Sequence, residues 1–388
     1  MIYLDNAATT LLDPEINSSL QGYMQDNFAN SGAVYEIGLD AKKKIDDATE
    51  SIRDSLGIPN SHSFVYTSGG TEANNLFIKG FCFPDKKVAC LGLEHPSITE
   101  TLRSFKEFNN EPLFLLNYFK EGKLDYSCSS ILKEKKIKLL CLSYVNNELG
   151  TIIDPVSLVK HLEQEAPQTR LFLDGVQAIG KIKVDKKMWS SLAGLSLSAH
   201  KFHGPKGIGL LIYDSRLVLN PQMHGGKQQS GLRAGTLPVP LILALADSIK
   251  LAVTTQKETQ IRFQELQNYL LKGLNKLKKP ILINSALDDS QSAGIVNFSF
   301  SPIEGEVMLH HLEKEKIYVG MGSACSAHSK EPSKILTGIG LTDEQARCSL
   351  RVSFSRTNTV AEVEKFLCAF SKTYEKLLPT FSKKTVYR

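Results

Sequence analysis

Absences narrow the field first. The chain has seven cysteines, an odd number, and no Cys-x-x-Cys pair, which argues against a disulfide framework and against a structural zinc site. No apolar run suits a bilayer span: the most apolar stretch, residues 237–253, contains two prolines together with Asp247 and Lys250. Residues 1–10 carry no basic patch and reach Asp5 almost at once, so no secretory leader is expected. Charge of one sign is also scarce. The 46 basic residues exceed the 41 acidic ones by only five, and the lysine clusters at 42–44, 133–138 and 383–388 read as solvated helix faces or tails. No aromatic–basic motif accompanies them, so neither direct nucleic-acid binding nor membrane binding is expected. Cys82, Cys90, Cys141 and Cys368 sit in apolar runs and read as inert core thiols. This thiol usage points to the reducing cytoplasm. There is no internal repeat and no low-complexity segment.

What is present is an ordinary globular composition, 42% apolar and 22% charged over 388 residues, a length at which a second domain is expected. Strand-like runs at 63–67, 87–91, 113–118, 138–144, 171–174, 195–198 and 208–213 alternate with helical patterns that include 71–83, 96–108 and 156–165. Continuous apolar strands in such alternation predict an α/β fold with a mostly parallel sheet covered by helices on both faces. The texture changes near Pro240. One long helical stretch is expected over 240–279, followed by strand-like 281–284 and 295–300, a helix at 304–316, strand-like 317–319 and 349–354, and a last helix over about 359–378. The expected division is a large domain of residues 14–252, and a smaller α+β domain of residues 253–388 joined by residues 1–13.

Ligands of open α/β sheets bind beyond the carboxyl ends of the strands, and the chemically informative residues gather at those ends. Thr67-Ser-Gly-Gly-Thr-Glu-Ala-Asn-Asn75 follows a strand and opens a helix. It suits a phosphate, through backbone N–H groups and the helix dipole, and equally a plain glycine turn with Thr71 as N-cap. No Gly-Lys-Ser/Thr follows, so it is not a Walker loop. Asp174 ends the strand-like run 171–174; a carboxylate there is either structural or the partner of a cation such as a protonated ring nitrogen. Lys201, in Ser198-Ala-His-Lys201, ends the following strand, where desolvation favours the neutral amine that forms imines. Cys325 lies in Gly320-Met-Gly-Ser-Ala-Cys325, a small polar segment suited to a mobile thiol. Cys325 and His328 also make a formal metal pair, with no second pair to complete it.

These segments occur in one order with Tyr3-Leu-Asp-Asn-Ala-Ala-Thr-Thr10, Glu94-His95, Asn146-Asn-Glu-Leu-Gly150, Asp174-Gly-Val-Gln177, and Gly225-Gly226 with Arg233-Ala-Gly-Thr236. Together they resemble the cysteine desulfurases of the class V aminotransferase family, within the fold-type I pyridoxal-phosphate enzymes, from Tyr3 to about residue 378. The resemblance implies that Lys201 anchors pyridoxal phosphate covalently and that Asp174 pairs with its pyridine nitrogen. Gln177 and Asn147 would bond near its phenolic oxygen. Gly70, Thr71, Ser198 and His200 would hold the phosphate, with Thr236 contributed by the second subunit of a homodimer. It further implies that His95 stacks on the ring and relays protons, and that Arg351, beside Asn147, clamps the carboxylate of L-cysteine. Cys325 would take the sulfur as a persulfide, leaving L-alanine, and pass it to an acceptor protein, an iron–sulfur scaffold or a tRNA-thiolating enzyme.

The chain departs from the family pattern in places. Tyr35 stands where relatives carry a histidine, and Gly70 and Gly175 replace more usual alanines. Little sequence follows the last expected helix, where some relatives carry a tail that docks their scaffold, so the acceptor stays open. Two rival functions remain at this stage. Another class V reaction, selenocysteine cleavage or aminotransfer, would not need Cys325. A non-catalytic scaffold paralogue would need none of Lys201, Asp174, His95, Arg351 or Cys325.

Overall fold

In the computed structural model, residues 1–82, 86–105, 112–115, 119–120, 123–286, 292–322 and 331–382 are described. A seven-stranded sheet runs in the order His62–Thr67, Gly209–Asp214, Leu192–Ser198, Arg170–Asp174, Leu139–Ser143, Val88–Cys90, Leu113–Phe114. Only Gly209–Asp214 is antiparallel to its neighbours; the remaining pairs are parallel. The central strands Leu139–Ser143 and Leu192–Ser198 are buried at every position, as continuous apolar strands covered on both faces must be. Alternation along them separates two cores. Leu140, Leu142, Leu171, Leu173 and Leu210 face one core, shared with the helices Glu36–Leu56, Pro155–Glu165 and Val239–Thr254. Leu139, Cys141, Phe172 and Leu211 face the other, under the helices Gly70–Cys82 and Pro96–Arg103, where Phe77 stacks on Phe172 at 4.5 Å.

A further core joins Leu4 to residues between Phe263 and Tyr374. It lies around an antiparallel sheet ordered Leu282–Ile283, Ile295–Ser299, Ser349–Ser353. The first strand, Ile2–Leu4, pairs in parallel with Ile317–Val319. The chain then crosses to the large sheet: the Asn6 and Ala7 N–H groups bond to Ser353, and the Thr10 N–H to the His200 carbonyl. This strap carries Asp5, Ala7 and Ala8 to the ends of the large strands.

Three expectations change. The stretch 240–279 is two helices, Val239–Thr254 and Gln256–Lys276, bent by 63°. The Thr254 and Thr255 hydroxyls donate back to the Lys250 and Leu251 carbonyls at the junction, a contact that competes with the helix ladder and bends it. Among the described residues no single helix is long and apolar enough to cross a membrane. Cys368 is exposed rather than in the core, because Phe366 and Phe370 of the helix Val360–Ser382 take the buried face. The expected strand 113–118 shortens to Leu113–Phe114, with 116–118 outside the described residues. Cys90 and Cys141 are buried as expected, and the Cys82 side chain lies outside the description. Two helices, Pro14–Asp26 and Glu36–Leu56, were not anticipated. Asp13 caps the first through the Glu15 N–H, with Pro14 at its start.

Candidate active site

Parallel register brings Ser143 opposite Asp174, and Asp174 opposite Ser196, so the carboxyl ends of three strands share one edge. A cavity of about 260 Å³ opens there. Lys201, Asp174, Gln177, His95, Asn147 and Arg351 line it, and so do Gly70, Thr71, Ser198 and His200. Thr236 does not line it; it is exposed on the loop before the helix Val239–Thr254. Cys325 and His328 lie outside the described residues. Tyr35 is exposed at the start of Glu36–Leu56 and is no part of the wall.

Asp174 is buried. Its Oδ2 accepts from Asn74 Nδ2 at 2.8 Å and its Oδ1 from the Val176 N–H at 3.0 Å. Both donors are neutral, and among the described residues no lysine or arginine forms an ion pair with it. A buried carboxylate so placed is stabilised by a cationic N–H. Asn74, fully buried, also donates to Ser97 Oγ at 2.8 Å, and Ser97 Oγ meets His95 Nδ1 at 2.8 Å. His95 is in addition the N-cap of Pro96–Arg103, its Nδ1 accepting from the Ser97 N–H at 3.1 Å. Nδ1 is thus an acceptor, which leaves the proton of the neutral ring on Nε2. Burial is the main influence lowering the His95 pKa; the Asp174 charge opposes it and Lys201 reinforces it. Behind the histidine, the buried Glu94 carboxylate accepts from the Ser143 N–H at 2.7 Å and from the Ser143 hydroxyl.

Lys201 ends the short turn Ala199–Lys201 after strand Leu192–Ser198. Its Nζ donates to the Ala7 and Ala8 carbonyls, each at 2.7 Å. His200, bonded to Thr9 through Nδ1, has its pKa lowered to about 4 by burial and then by Lys201, Lys206 and Lys181, so it is neutral at pH 7. The helix Gly70–Cys82 begins one residue before Thr71, which removes the N-cap reading of that threonine and leaves its backbone in the first turn. A Cβ at Gly70 would come within 2.5 Å of Val176 Cγ2, so this helix start admits only glycine next to Val176. Glu72 accepts from the Ser68 N–H at 2.6 Å and pairs with Arg233 at 2.8 Å, tying the loop that bears Thr236 to the glycine turn.

Arg351 is among the largest fully buried side chains. Its Nη2 pairs with Asp5 Oδ1 at 2.7 Å and its Nη1 donates to the Asn147 carbonyl at 2.9 Å. Its Nε is buried with no hydrogen-bond partner among the described residues. The approach requires glycine at 320, where a Cβ would stand 2.6 Å from Asp5 Oδ1 and 2.8 Å from Arg351 Nη2. Sequence reasoning had passed over Asp5, Asn74, Ser97 and Lys181. Asp5 and Asn74 stand inside motifs that were quoted, but their partners are remote in the chain.

A carboxylate at one strand end, a lysine at the next and a glycine-opened helix, all bordering one cavity, are the setting of a cofactor-dependent α/β enzyme. The chain belongs to the aminotransferase class-V family, whose model matches residues 2–366. It is 35% identical over 382 residues to the cysteine desulfurase IscS of Methanosarcina thermophila, covering 97% of this chain and 92% of that one. It is 32% identical over 381 residues to the NifS/IcsS protein homolog of Lactobacillus delbrueckii, covering 97% of each. Among solved structures, a NifS-like protein superposes with a TM-score of 0.87 at 26% identity, covering 97% of this chain and all of that one. The structure of SspA in complex with cysteine superposes with a TM-score of 0.77 at 29% identity, over 92% of this chain and all of that one.

Proteins of this family work with pyridoxal phosphate, and the cavity fits it. Asp174 pairs with no lysine or arginine among the described residues, the helix start at Gly70 is clear of any Cβ, and Lys201 lines the same cavity.

Proposed function

We propose that this chain is a pyridoxal-phosphate-dependent cysteine desulfurase that converts L-cysteine to L-alanine and keeps the sulfur as a persulfide on Cys325. The observation that carries this reading is the convergence of Lys201, Asp174, His95 and the buried Arg351 on one 260 Å³ cavity. Lys201 is the covalent anchor of the cofactor and Asp174 the partner of its ring nitrogen. Gln177 and Asn147 serve the phenolic oxygen, and Gly70, Thr71, Ser198 and His200 the phosphate. When bound, the cofactor supplies an electron sink for charge developing at the α-carbon of the substrate.

The protein supplies the rest. Arg351, oriented by Asp5 and the Asn147 carbonyl, receives the substrate carboxylate. With the cofactor and substrate bound, the Lys201 amine would be the base that takes the α-proton. His95 presents its Nε2 proton and so acts as a donor. The Cys325 thiolate attacks the substrate sulfur: an S–S bond forms, the C–S bond breaks, and its electron pair stays on the carbon, which is protonated to give alanine. The persulfide then passes to an acceptor protein, an iron–sulfur scaffold or a tRNA-thiolating enzyme.

The same reading takes residues 253–388 with 1–13 as a smaller domain bearing Cys325, supported by the core that joins Leu4 to residues 263–374. It takes the enzyme as a cytoplasmic homodimer. Exposed Phe28, Val34, Tyr35 and Ile37 support a subunit interface, and exposed Thr236 supports a contribution to the neighbouring site. The free thiols of Cys90, Cys128, Cys141 and Cys348 suit a reducing compartment. The test is to incubate holoenzyme with L-cysteine and a reductant and to assay both products. Equal amounts of sulfide and alanine support the reading. Turnover without alanine moves the reaction elsewhere in the family.

A further inference from the structure

One buried lysine beside the cavity has no part in the chemistry above. Lys181 follows Gln177 by four residues across a turn and is buried, and its Nζ donates to Gln177 Oε1. Gln177 Nε2 in turn donates to the Ala7 carbonyl at 2.7 Å, the same oxygen that accepts from Lys201 Nζ at 2.7 Å. Lys181, Gln177, Ala7 and Lys201 thus form one continuous hydrogen-bonded chain. Its two ends dictate how the carboxamide is turned. A carbonyl can only accept, so Nε2 must face Ala7, and the amine of Lys181 donates to Oε1 whether or not it is charged.

We propose that Lys181 is a positioning residue, which fixes the Gln177 carboxamide so that an N–H, not the carbonyl oxygen, is offered on the side of Lys201 and the cofactor's phenolic oxygen. The proposal rests on the assignment of Lys201 and Gln177 to the cofactor, and not on the desulfurase reaction.

The surroundings of Lys181 fit this duty better than that of a structural ion pair. Lys201, Arg351, His200, His203 and Arg356 face it. The nearby carboxylates are engaged elsewhere, Asp5 with Arg351 and Asp13 with Arg356. Among the described residues no carboxylate pairs with Lys181. Burial first, then Lys201 and Arg351, hold its pKa well below the ordinary lysine range. The Gln260 carboxamide donates to the Lys181 carbonyl and to that of Ser292 at 2.7 Å, fixing the backbone from which the side chain reaches.

A donor to the phenolic oxygen favours the form of the lysine-bound cofactor with its imine nitrogen unprotonated, where the oxygen carries more negative charge. Any proton on Lys181 acts in the same direction, because one cation disfavours a second nearby. Removing Lys181 should therefore raise the pH at which the visible band of the lysine-bound cofactor changes.

The experiment is a pH titration of that band, without substrate, in wild type, Lys181→Met, Gln177→Ala and the double variant. The expected result is an upward shift of roughly one unit in Lys181→Met, and a double variant that titrates where Gln177→Ala does, because the lysine acts only through the glutamine. An unshifted Lys181→Met, or shifts that simply add, would overturn the proposal. If Lys181→Met does not yield holoenzyme, Lys181→Gln is read in the same way, since its carboxamide no longer dictates the turn of its neighbour. A wild type without a visible band would instead refute the cofactor assignment, and wild-type titration without desulfuration would refute only the proposed reaction.

Discussion

Replacing Glu94 by glutamine should make the protein more tolerant of alkali, by an amount the structure allows to be worked out. The Glu94 carboxylate is buried, and its Oε2 accepts from the Ser143 N–H at 2.7 Å and from the Ser143 hydroxyl. Burial raises its pKa from the ordinary 4.5 to about 8; the Ser143 bonds oppose the rise and the Asp174 charge adds to it. The folded protein therefore binds this proton more tightly than the unfolded chain. The resulting stabilisation is fully present below pH 4.5 and is lost as pH rises to about 8. The two pH units from 6 to 8 carry roughly 2.7 kcal/mol at about 1.36 kcal/mol per unit. Glutamine keeps an oxygen that accepts from Ser143 and has no proton to lose. At about 2 °C per kcal/mol for a long chain, the wild type should lose roughly 5 °C more than Glu94→Gln between pH 6 and pH 9. Scanning calorimetry of both proteins at the two pH values measures this difference, in which the other titrating groups cancel. Parallel losses would show that Glu94 does not hold its proton in the folded state.

Lys201→Ala should lose the visible band of the lysine-bound cofactor while remaining folded, and a normal spectrum would refute the anchor. Arg351→Lys keeps the charge but not the planar fork, so KM for cysteine should rise roughly 10- to 100-fold, with kcat changed less. Steady-state kinetics separate the two, and an unchanged KM would remove Arg351 from carboxylate binding.

The parallel sheet was legible because its strands are continuous apolar runs, and Asp174 and Lys201 stood out as charged groups at the ends of such runs. The helix Glu36–Leu56 was hidden for the opposite reason. Its buried stripe is Gly38, Ala41, Ile45, Ala48, Ile52 and Leu56, where small residues and abundant charge mute the apolar period. The bend at Thr255 depends on hydroxyl bonds within the helix, and a pair of threonines in a helical pattern was its only trace. Composition places Cys368 in an apolar run, but a helix turns alternate members of that run to solvent. At the site, backbone order could place residues on strand ends but could not pair Arg351 with Asp5, which is 346 positions away. Nor could it join Asn74 to Asp174, 100 positions apart. Such partners are chosen by tertiary contact. Lys181 is nearer, four residues from Gln177, but a turn with Gly180 at positive φ joins them rather than a helix.

The most direct test of sulfur transfer is the mass of the peptide that contains Cys325, after holoenzyme receives one equivalent of L-cysteine without reductant. A persulfide on Cys325 makes that peptide heavier by one sulfur atom. The Cys325→Ser variant should keep the visible band of the cofactor and leave its peptide unchanged. A peptide of unchanged mass in a wild type that still produces alanine, or full sulfur release by Cys325→Ser, would contradict the proposed role of this thiol.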